Sequence, residues 1–184
     1  MLEILNTAAA IGTFVVITAT AVAAVFQLRH MRAANQLQGL LTVLARVEDS
    51  GINAWFTETQ RQLPGMLSDP EYVRSLLDFT FDRNVAWLQL GNSYDWIGSL
   101  VKNGLISESA FLDVYTFRVI QAWELLKPIV VIGRRNATAA LWDSFEYLFV
   151  RAQQWRTQYP EGTYPEGVER APLPAFEEIL PNLR

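Results

Sequence analysis

The side chains that most often carry out acid–base, metal or nucleophilic chemistry are scarce in this sequence. Its 184 residues include no cysteine and a single histidine, His30. The absence of cysteine excludes a thiolate zinc site, an iron–sulfur cluster and a cysteine nucleophile. A serine triad needs a histidine beside the serine, whereas His30 stands among arginines near the N-terminal apolar stretch. The sequence therefore predicts no catalytic residue, no metal and no cofactor.

Two carboxylates have the spacing of a pair that could exchange protons. Asp78 and Asp82 are four residues apart and would be neighbours on one face of a helix. Because Arg74 and Arg83 are close to them in the sequence, we favour a solvated, ion-paired helix face over an acid–base pair.

A short basic stretch is the best candidate for an anion site. Arg134 and Arg135 precede Asn136, which is a good N-cap residue for a following helix. Helix N-termini attract negative charge, so these arginines could hold an anion. Alternatively they pair with acids on a neighbouring helix, for which Glu124 and Glu146 are the candidates, and we favour this alternative.

The overall composition limits the function further. The chain is 51% hydrophobic and 18% charged, which is too apolar for a disordered chain and low in charge for a cytosolic domain. Its net charge of −4 disfavours nucleic acid as a partner, because phosphate contacts require positive charge.

Residues 1–28 are predicted to be a transmembrane anchor. Residues 4–28 contain no charged side chain, and a helix of this length can cross a hydrocarbon core of about 30 Å. The alternative is a cleaved signal peptide, since residues 19–23 contain Ala-x-Ala patterns. We favour the uncleaved anchor, because Glu3 stands where a signal peptide has positive charge.

The charges that flank this stretch indicate its orientation. Arg29, His30 and Arg32 follow the apolar residues, whereas only Glu3 precedes them. The positive-inside rule then predicts a periplasmic N-terminus and a cytoplasmic C-terminal part. The three basic residues are expected at the membrane interface, in contact with the lipid bilayer.

One face of the predicted anchor carries small side chains. At about 100° per residue, four of them fall within about 60° of one another. They are Ala8, Gly12, Ala19 and Ala23. Small residues let membrane helices approach closely, so this face is predicted to pack against a helix of another membrane-protein subunit.

Residues 29–158 are predicted to form a cytoplasmic helical domain. The anchor helix is expected to continue to about residue 49, because apolar residues recur at helical spacing. These residues are Leu37, Leu40, Leu41, Leu44 and Val47. A weak helix over 55–63 is expected to end at Pro64, and a helix from Pro70 to about residue 102 is expected to break near Gly91.

Two further helices complete the predicted domain. Ser107 is expected to cap a helix that Pro128 ends or kinks. Residues 129–132 are β-branched and could form a short strand, but we favour a kinked continuation because no second strand is evident. Asn136 is expected to cap a last helix ending at about Gln158. Five of the eight prolines then fall in residues 159–184, which predicts an extended tail.

Several aromatic side chains are candidates for contact with a partner. The chain has six tryptophans. Trp123 and Trp142 fall at apolar helix positions and are expected in the core. The remaining candidates do not fit a buried pattern and suit an interface. They are Trp55, Trp96, Trp155, Tyr164 and Phe176. The tail that holds the last two is expected to lie either on a partner or on its own domain.

Residues 92–155 carry the features of a known family. They contain Gly98-Ser99-Leu100-Val101-Lys102-Asn103-Gly104, then Trp123-Glu124-Leu125-Leu126-Lys127-Pro128, and then Leu141-Trp142-Asp143-Ser144-Phe145-Glu146. The chain resembles uncharacterised bacterial proteins of the DUF4760 type, which have one N-terminal membrane helix and a helical cytoplasmic domain. The resemblance implies this architecture and a bacterial inner membrane, and it implies no activity.

The sequence predicts an all-α, non-catalytic, single-pass accessory subunit of a larger bacterial membrane complex. The most specific version of this prediction is a photosynthetic reaction-centre–light-harvesting assembly in which the chain stabilises subunit contacts, with a respiratory complex second. A membrane-anchored sensor or effector that binds a small ligand or anion is the first alternative. A membrane enzyme is the second and weaker one, because no set of acid, base and nucleophile is visible.

Overall fold

A computed structural model describes residues 1–49, 51–174 and 178 of the chain. Over these residues the structure consists of helices and loops without strands, which confirms the predicted all-α class. The helices are α1 (Leu2–Asp49), α2 (Ile52–Ser68), α3 (Pro70–Leu77), α4 (Ala86–Lys102), α5 (Glu108–Asn136) and α6 (Asp143–Gln158).

The N-terminal helix α1 is continuous over 48 residues, as its apolar periodicity predicts. Its stretch Ile11–Val43 is long and apolar enough to cross a membrane, and the most apolar part of that stretch is not buried by the rest of the protein. A signal sequence near an N-terminus has the same features. Thr18 and Thr20 donate hydrogen bonds to the carbonyls of Phe14 and Val16 at 2.8 and 2.7 Å, which satisfies these hydroxyls inside an apolar helix.

Among the described side chains of α1, those that contact the helical domain lie in its C-terminal part. Val43 is fully buried, and Leu40 packs against the core. A Cβ on Gly39 would lie 3.0 Å from the Leu105 carbonyl oxygen, so α1 passes close to the loop after α4. The leucines that the sequence analysis places on one apolar face therefore have two environments. Leu40 packs against the core, whereas Leu37 and Leu41 are 58% and 56% exposed.

Helices α2 to α6 enclose the hydrophobic core, with α4 in contact with α2, α5 and α6. The core is rich in aromatic and aliphatic side chains, whose removal from water is the main driving force for folding. Its largest fully buried members include Phe111, Phe145, Leu63, Leu90 and Leu126.

Two helices pass through a proline at which the sequence predicts a stop or a kink. Helix α2 continues through Pro64 to Ser68, and α5 continues through Pro128 to Asn136. Both prolines are exposed, so the carbonyl that loses its helical donor can be hydrated. Burial of Leu63 in α2 and of Ile129 in α5 holds the flanking turns in place.

The predicted helix over 70–102 is two helices, and its break lies earlier than expected. Helix α3 ends at Leu77 and α4 begins at Ala86, whereas α4 runs unbroken through Gly91. A Cβ on Gly91 would lie 2.0 Å from Cζ2 of Trp142. Gly91 is therefore a site of close packing and not a helix break.

Helix α6 begins later than predicted, and its cap comes from another helix. Asn136 is the last residue of α5, and α6 starts at Asp143. The Asp95 carboxylate on α4 accepts hydrogen bonds from the amides of Ser144 and Phe145, both at 3.0 Å. This tertiary cap replaces the local one that the sequence suggests.

The described part of the tail, residues 159–174, contains turns instead of a continuous extended chain. Thr163 donates a hydrogen bond to the Asp113 carboxylate on α5. The Tyr164 hydroxyl donates to the Glu169 carbonyl at 3.1 Å, and Arg170 donates to the Glu161 carbonyl at 3.2 Å. The start of the tail thus lies on its own domain.

Candidate functional site

One candidate site is a partly enclosed apolar cleft, which we call the aromatic cleft. It has a volume of about 100 Å³ and opens between the α3–α4 loop, α4, the C-terminal half of α5 and the α5–α6 loop. Its lining includes four aromatic side chains and one cation, which are Phe79, Phe81, Trp87, Trp142 and Arg83.

Phe79 forms part of the rim and has a strained backbone. Helix α3 ends with a hydrogen bond from the Thr80 amide to the Ser75 carbonyl at 2.9 Å, the 6→1 bond of a Schellman motif. Phe79 occupies the left-handed position of this motif, with φ 57°, where glycine is usual. Phe79 is 42% exposed, so it is less well buried than Trp142.

Trp142 is the other described non-glycine residue with positive φ, at 54°, and it also lines the cleft. Its indole is buried, and its Nε1 donates a hydrogen bond to Asn92 Oδ1 at 3.0 Å. The ring packs edge-on against Trp87, with centroids 6.3 Å apart. The strain at Trp142 is therefore balanced by packing, unlike that at Phe79.

Arg83 is the one charged residue that lines the cleft. Its Cζ lies 4.9 Å from the centroid of the Phe81 ring, a cation–π geometry. The Phe81 ring is in turn 5.3 Å from that of Trp87. Trp87 Nε1 donates to the Tyr72 hydroxyl at 2.7 Å, and burial raises the pKa of Tyr72. The wall beneath Arg83 is therefore uncharged at neutral pH.

Asp78 and Asp82 form neither an acid–base pair on one helix nor the shared helix face that the sequence analysis favours. Asp78 follows the end of α3, and Asp82 lies in the α3–α4 loop, where it accepts a hydrogen bond from the Asn84 amide at 2.8 Å. The two residues do not share a helix face, because the helix ends between Leu77 and Asp78.

The possible anion site at Arg134 and Arg135 lies at the C-terminal end of α5 and not at a helix N-terminus. Both residues lie in the last turn of α5, where the helix dipole favours cations. Arg134 donates to the Leu141 carbonyl at 3.1 Å and pairs with Glu146 at 2.8 Å. Arg135 is exposed. Of the two predicted partners, Glu146 pairs with Arg134, whereas Glu124 pairs with Lys127.

A polar cluster that the sequence analysis missed joins the start of α5 to α6. Arg151 Nε donates to Glu108 Oε1 and the Tyr147 hydroxyl donates to Glu108 Oε2, both at 2.9 Å. The Arg151 hydrogen bond holds the pKa of Glu108 below its usual range, although partial burial opposes this shift. Both carboxylate oxygens are occupied, so the cluster fastens two helices together. No local pattern reveals it, because its members are about 40 residues apart.

The candidate partner-contact residues have different environments. Trp55 and Trp155 are half-buried against the core, and the Trp155 ring lies 4.7 Å from that of Tyr159. Trp96 is 39% exposed and Tyr164 is 45% exposed. Phe176 lies outside the described residues. Trp123 and Trp142 are buried, as predicted.

The predicted membrane residues lie on α1. Arg29, His30 and Arg32 are exposed, as are Ala19 and Ala23. No atom lies within 4 Å of a Cβ built on Gly12, apart from the neighbouring backbone. The side chain of Ala8 lies outside the described part of the chain. Among the described residues, no group of three or more histidine, cysteine or acidic side chains could hold a metal ion.

Comparison with known proteins identifies the family. The family model described as a domain of unknown function, DUF4760, matches residues 14–152. No curated protein and no solved structure matches the chain. The matched region includes most of α1, both walls of the aromatic cleft and the α4–α6 contact. Because the match covers well over half of the sequence, the chain belongs to the DUF4760 family.

Proposed function

We propose that this chain is a non-catalytic accessory subunit that is anchored in a bacterial inner membrane and joins a larger complex through α1. The observation that carries the proposal is the apolar surface of α1. Phe14 and Phe26 are 70% and 58% exposed, and no described part of the domain covers this surface. Side chains of this kind need lipid or another protein around them.

One face of α1 favours a protein partner over lipid alone. Leu37 and Leu41 lie beyond the basic residues that would mark the membrane interface, so lipid tails do not cover them. On a helical wheel they point about 135° away from the mean direction of Gly39, Leu40 and Val43, which contact the domain. The domain therefore leaves this face open.

The same face continues into the apolar stretch. Leu37 follows Ala19, and Leu41 follows Ala23, by 18 residues, or about five turns, so each pair is aligned along the helix. A neighbouring subunit could follow one stripe from the membrane to the cytoplasmic side. Small residues would allow close approach within the bilayer, and leucines would pack outside it.

The proposed orientation places the N-terminus in the periplasm and the helical domain in the cytoplasm. Arg29, His30 and Arg32 then lie near the headgroups of the inner leaflet, where basic residues are favoured. A photosynthetic reaction-centre–light-harvesting complex stays our most specific prediction for the host. The exposed stripe on α1 fits any assembly that has an accessible transmembrane helix.

Native membranes extracted with a mild detergent provide the test. We expect the chain to migrate with a large complex, and we expect the double variant Leu37→Ser/Leu41→Ser to leave it. The matched control is Val114→Ser/Phe117→Ser on α5, whose side chains are 65% and 64% exposed. This control should stay in the complex. Wild-type chain that migrates alone, or equal loss in both double variants, contradicts the proposal.

The aromatic cleft favours a second candidate function, a membrane-anchored sensor of a small ligand. Here α1 would locate the domain, and the ligand would act on the α3–α4 loop and the α5–α6 loop that border the cleft. The two functions are compatible, because α1 and the cleft share no residue.

A further inference from the structure

We propose that the aromatic cleft binds a small aromatic carboxylate, with its ring among Phe79, Phe81, Trp87 and Trp142 and its carboxylate on Arg83. This inference goes beyond the proposed function and does not depend on it. It rests on three separate features of the cleft, which are its aromatic walls, its single charge and its strained rim.

The walls suit a flat ring. Trp87 stands between Phe81 and Trp142, with ring centroids 5.3 Å from the first and 6.3 Å from the second. Leu76 and Ile129 close the inner side, and both are buried. Aromatic side chains prefer offset or edge-to-face neighbours, so rings tilted at 38° and 69° offer both arrangements to a guest.

The size limits the guest to about one ring. The cleft measures about 100 Å³, which is less than the roughly 150 Å³ of an enclosed cavity that holds a benzene molecule, so one ring would fill it and lie partly at its open side. Because the cleft is open on one side, a substituent on the ring can project outward. A monocyclic ligand fits, whereas a nucleotide or a haem does not.

The charge selects an anion. Arg83 supplies the one charged side chain of the lining, and its Cζ lies 4.9 Å from the centroid of the Phe81 ring. A guanidinium edge binds a carboxylate through two parallel hydrogen bonds. No acidic residue lines the cleft to compete for it.

The strain at Phe79 points to a use for its ring. The Schellman position favours glycine, and Phe79 occupies it while 42% exposed. Strained backbone positions of this kind cluster at active sites and ligand-binding sites. Here it holds an aromatic ring at the mouth of an aromatic cleft.

The test uses the purified full-length chain in detergent, with benzoate and phenylacetate as probes and the neutral amides benzamide and phenylacetamide as controls. We expect at least one carboxylate to bind with a dissociation constant below about 1 mM and its amide to bind about tenfold more weakly. Isothermal titration and quenching of tryptophan fluorescence, from Trp87 and Trp142, measure both.

Variants connect the binding to the cleft. Arg83→Gln should weaken carboxylate binding about tenfold and leave amide binding unchanged, whereas Arg156→Gln, at an exposed arginine outside the cleft, should change neither. Phe79→Ala and Phe79→Gly should both weaken binding, because both remove the ring.

Three results overturn the proposal. The first is that neither carboxylate binds the wild-type chain, while its tryptophan fluorescence and cooperative unfolding show a folded core. The second is equal affinity for carboxylate and amide, and the third is equal loss in Arg83→Gln and Arg156→Gln. None of these results affects the co-migration test of α1. The ligand proposal and the accessory-subunit proposal can therefore be disproved independently.

Discussion

In the apolar stretch of α1, large apolar side chains point outward, whereas most of the described large apolar side chains of α2 to α6 lie in a buried core, with Val114 and Phe117 among the exceptions. Phe14 in α1 is 70% exposed, and Phe145 in α6 is fully buried. The domain therefore buries most of its own apolar surface, whereas the apolar surface of α1 favours a membrane or a partner around it. The contrast separates the part of the chain that forms the core from the part that we propose sets its location.

The contrast predicts that truncating equivalent side chains in the two regions has unequal effects. Phe145→Ala should lower the free energy of unfolding by about 3–5 kcal/mol, because it leaves a cavity among Tyr94, Trp123 and Trp142. Phe14→Ala should leave the unfolding of the domain unchanged. Denaturant unfolding in detergent, followed by tryptophan fluorescence, measures both. Comparable destabilisation by the two variants would mean that α1 is part of the core.

Two glycines of the domain, one closely packed and one open, allow a similar comparison of packing. Gly91→Ala should destabilise it by about 1–3 kcal/mol, because the new Cβ would lie 2.0 Å from the buried Trp142 ring. Gly65→Ala in α2 is the matched control, since no surrounding atom lies within 4 Å of its Cβ position. That variant should stabilise the domain by about 0.5–1 kcal/mol through helix propensity. Thermal unfolding of both variants gives the sign of each change in stability. Changes of the same sign would contradict close packing between α4 and α6.

The strain at Phe79 can be measured with two variants that both lack the ring. Phe79→Gly should be more stable than Phe79→Ala by about 1–2 kcal/mol, since only glycine adopts a φ of 57° freely. Denaturant midpoints at equal m-values give this difference. If alanine equals glycine here, the backbone is not strained and one support of the ligand proposal is lost.

The cluster at Glu108 predicts a small, pH-dependent effect. Its folded-state pKa is lowered, so its contribution is present above the unfolded pKa of about 4.3 and is lost as pH falls through the folded value. At pH 7, Glu108→Gln should cost about 1 kcal/mol, discounted because the Arg151 side chain is 43% exposed. Unfolding measured from pH 7 to pH 3 should show the wild-type advantage shrink as the pH falls below about 4.3. An advantage that stays constant over this range contradicts the ionic origin.

Local signals predicted those parts of the fold that depend on neighbouring residues. The unbroken apolar periodicity gives α1, and Asp69 caps α3 through the Glu71 amide at 2.9 Å, as its sequence suggests. Ser107 likewise accepts from the Ala110 amide at 3.4 Å at the start of α5. In each case the chemistry that begins or continues the helix lies within four residues.

Contacts between distant residues explain where the sequence predictions were wrong. Asp95 caps α6 from 49 residues away, so no local pattern placed the start of that helix at Asp143. Pro64 does not end α2, because the buried Leu63 beside it holds the turn, whereas the continuation of α5 past Pro128 is the outcome that the sequence analysis favours. The sequence analysis missed the cleft for the same reason, since Phe79 and Trp142 come to line one cleft only in the folded chain.

The central claim is that the face of α1 opposite the domain contacts another subunit of a membrane complex. A photo-crosslinking amino acid at Leu41, introduced in living cells, tests it most directly. Asn35 is the control, because it is exposed on the same helix but points about 120° away from Leu41. We predict one defined adduct with a different membrane protein from position 41 and none from position 35. Equal adducts from both positions, no protein adduct, or an adduct only with a second copy of this chain contradicts the account.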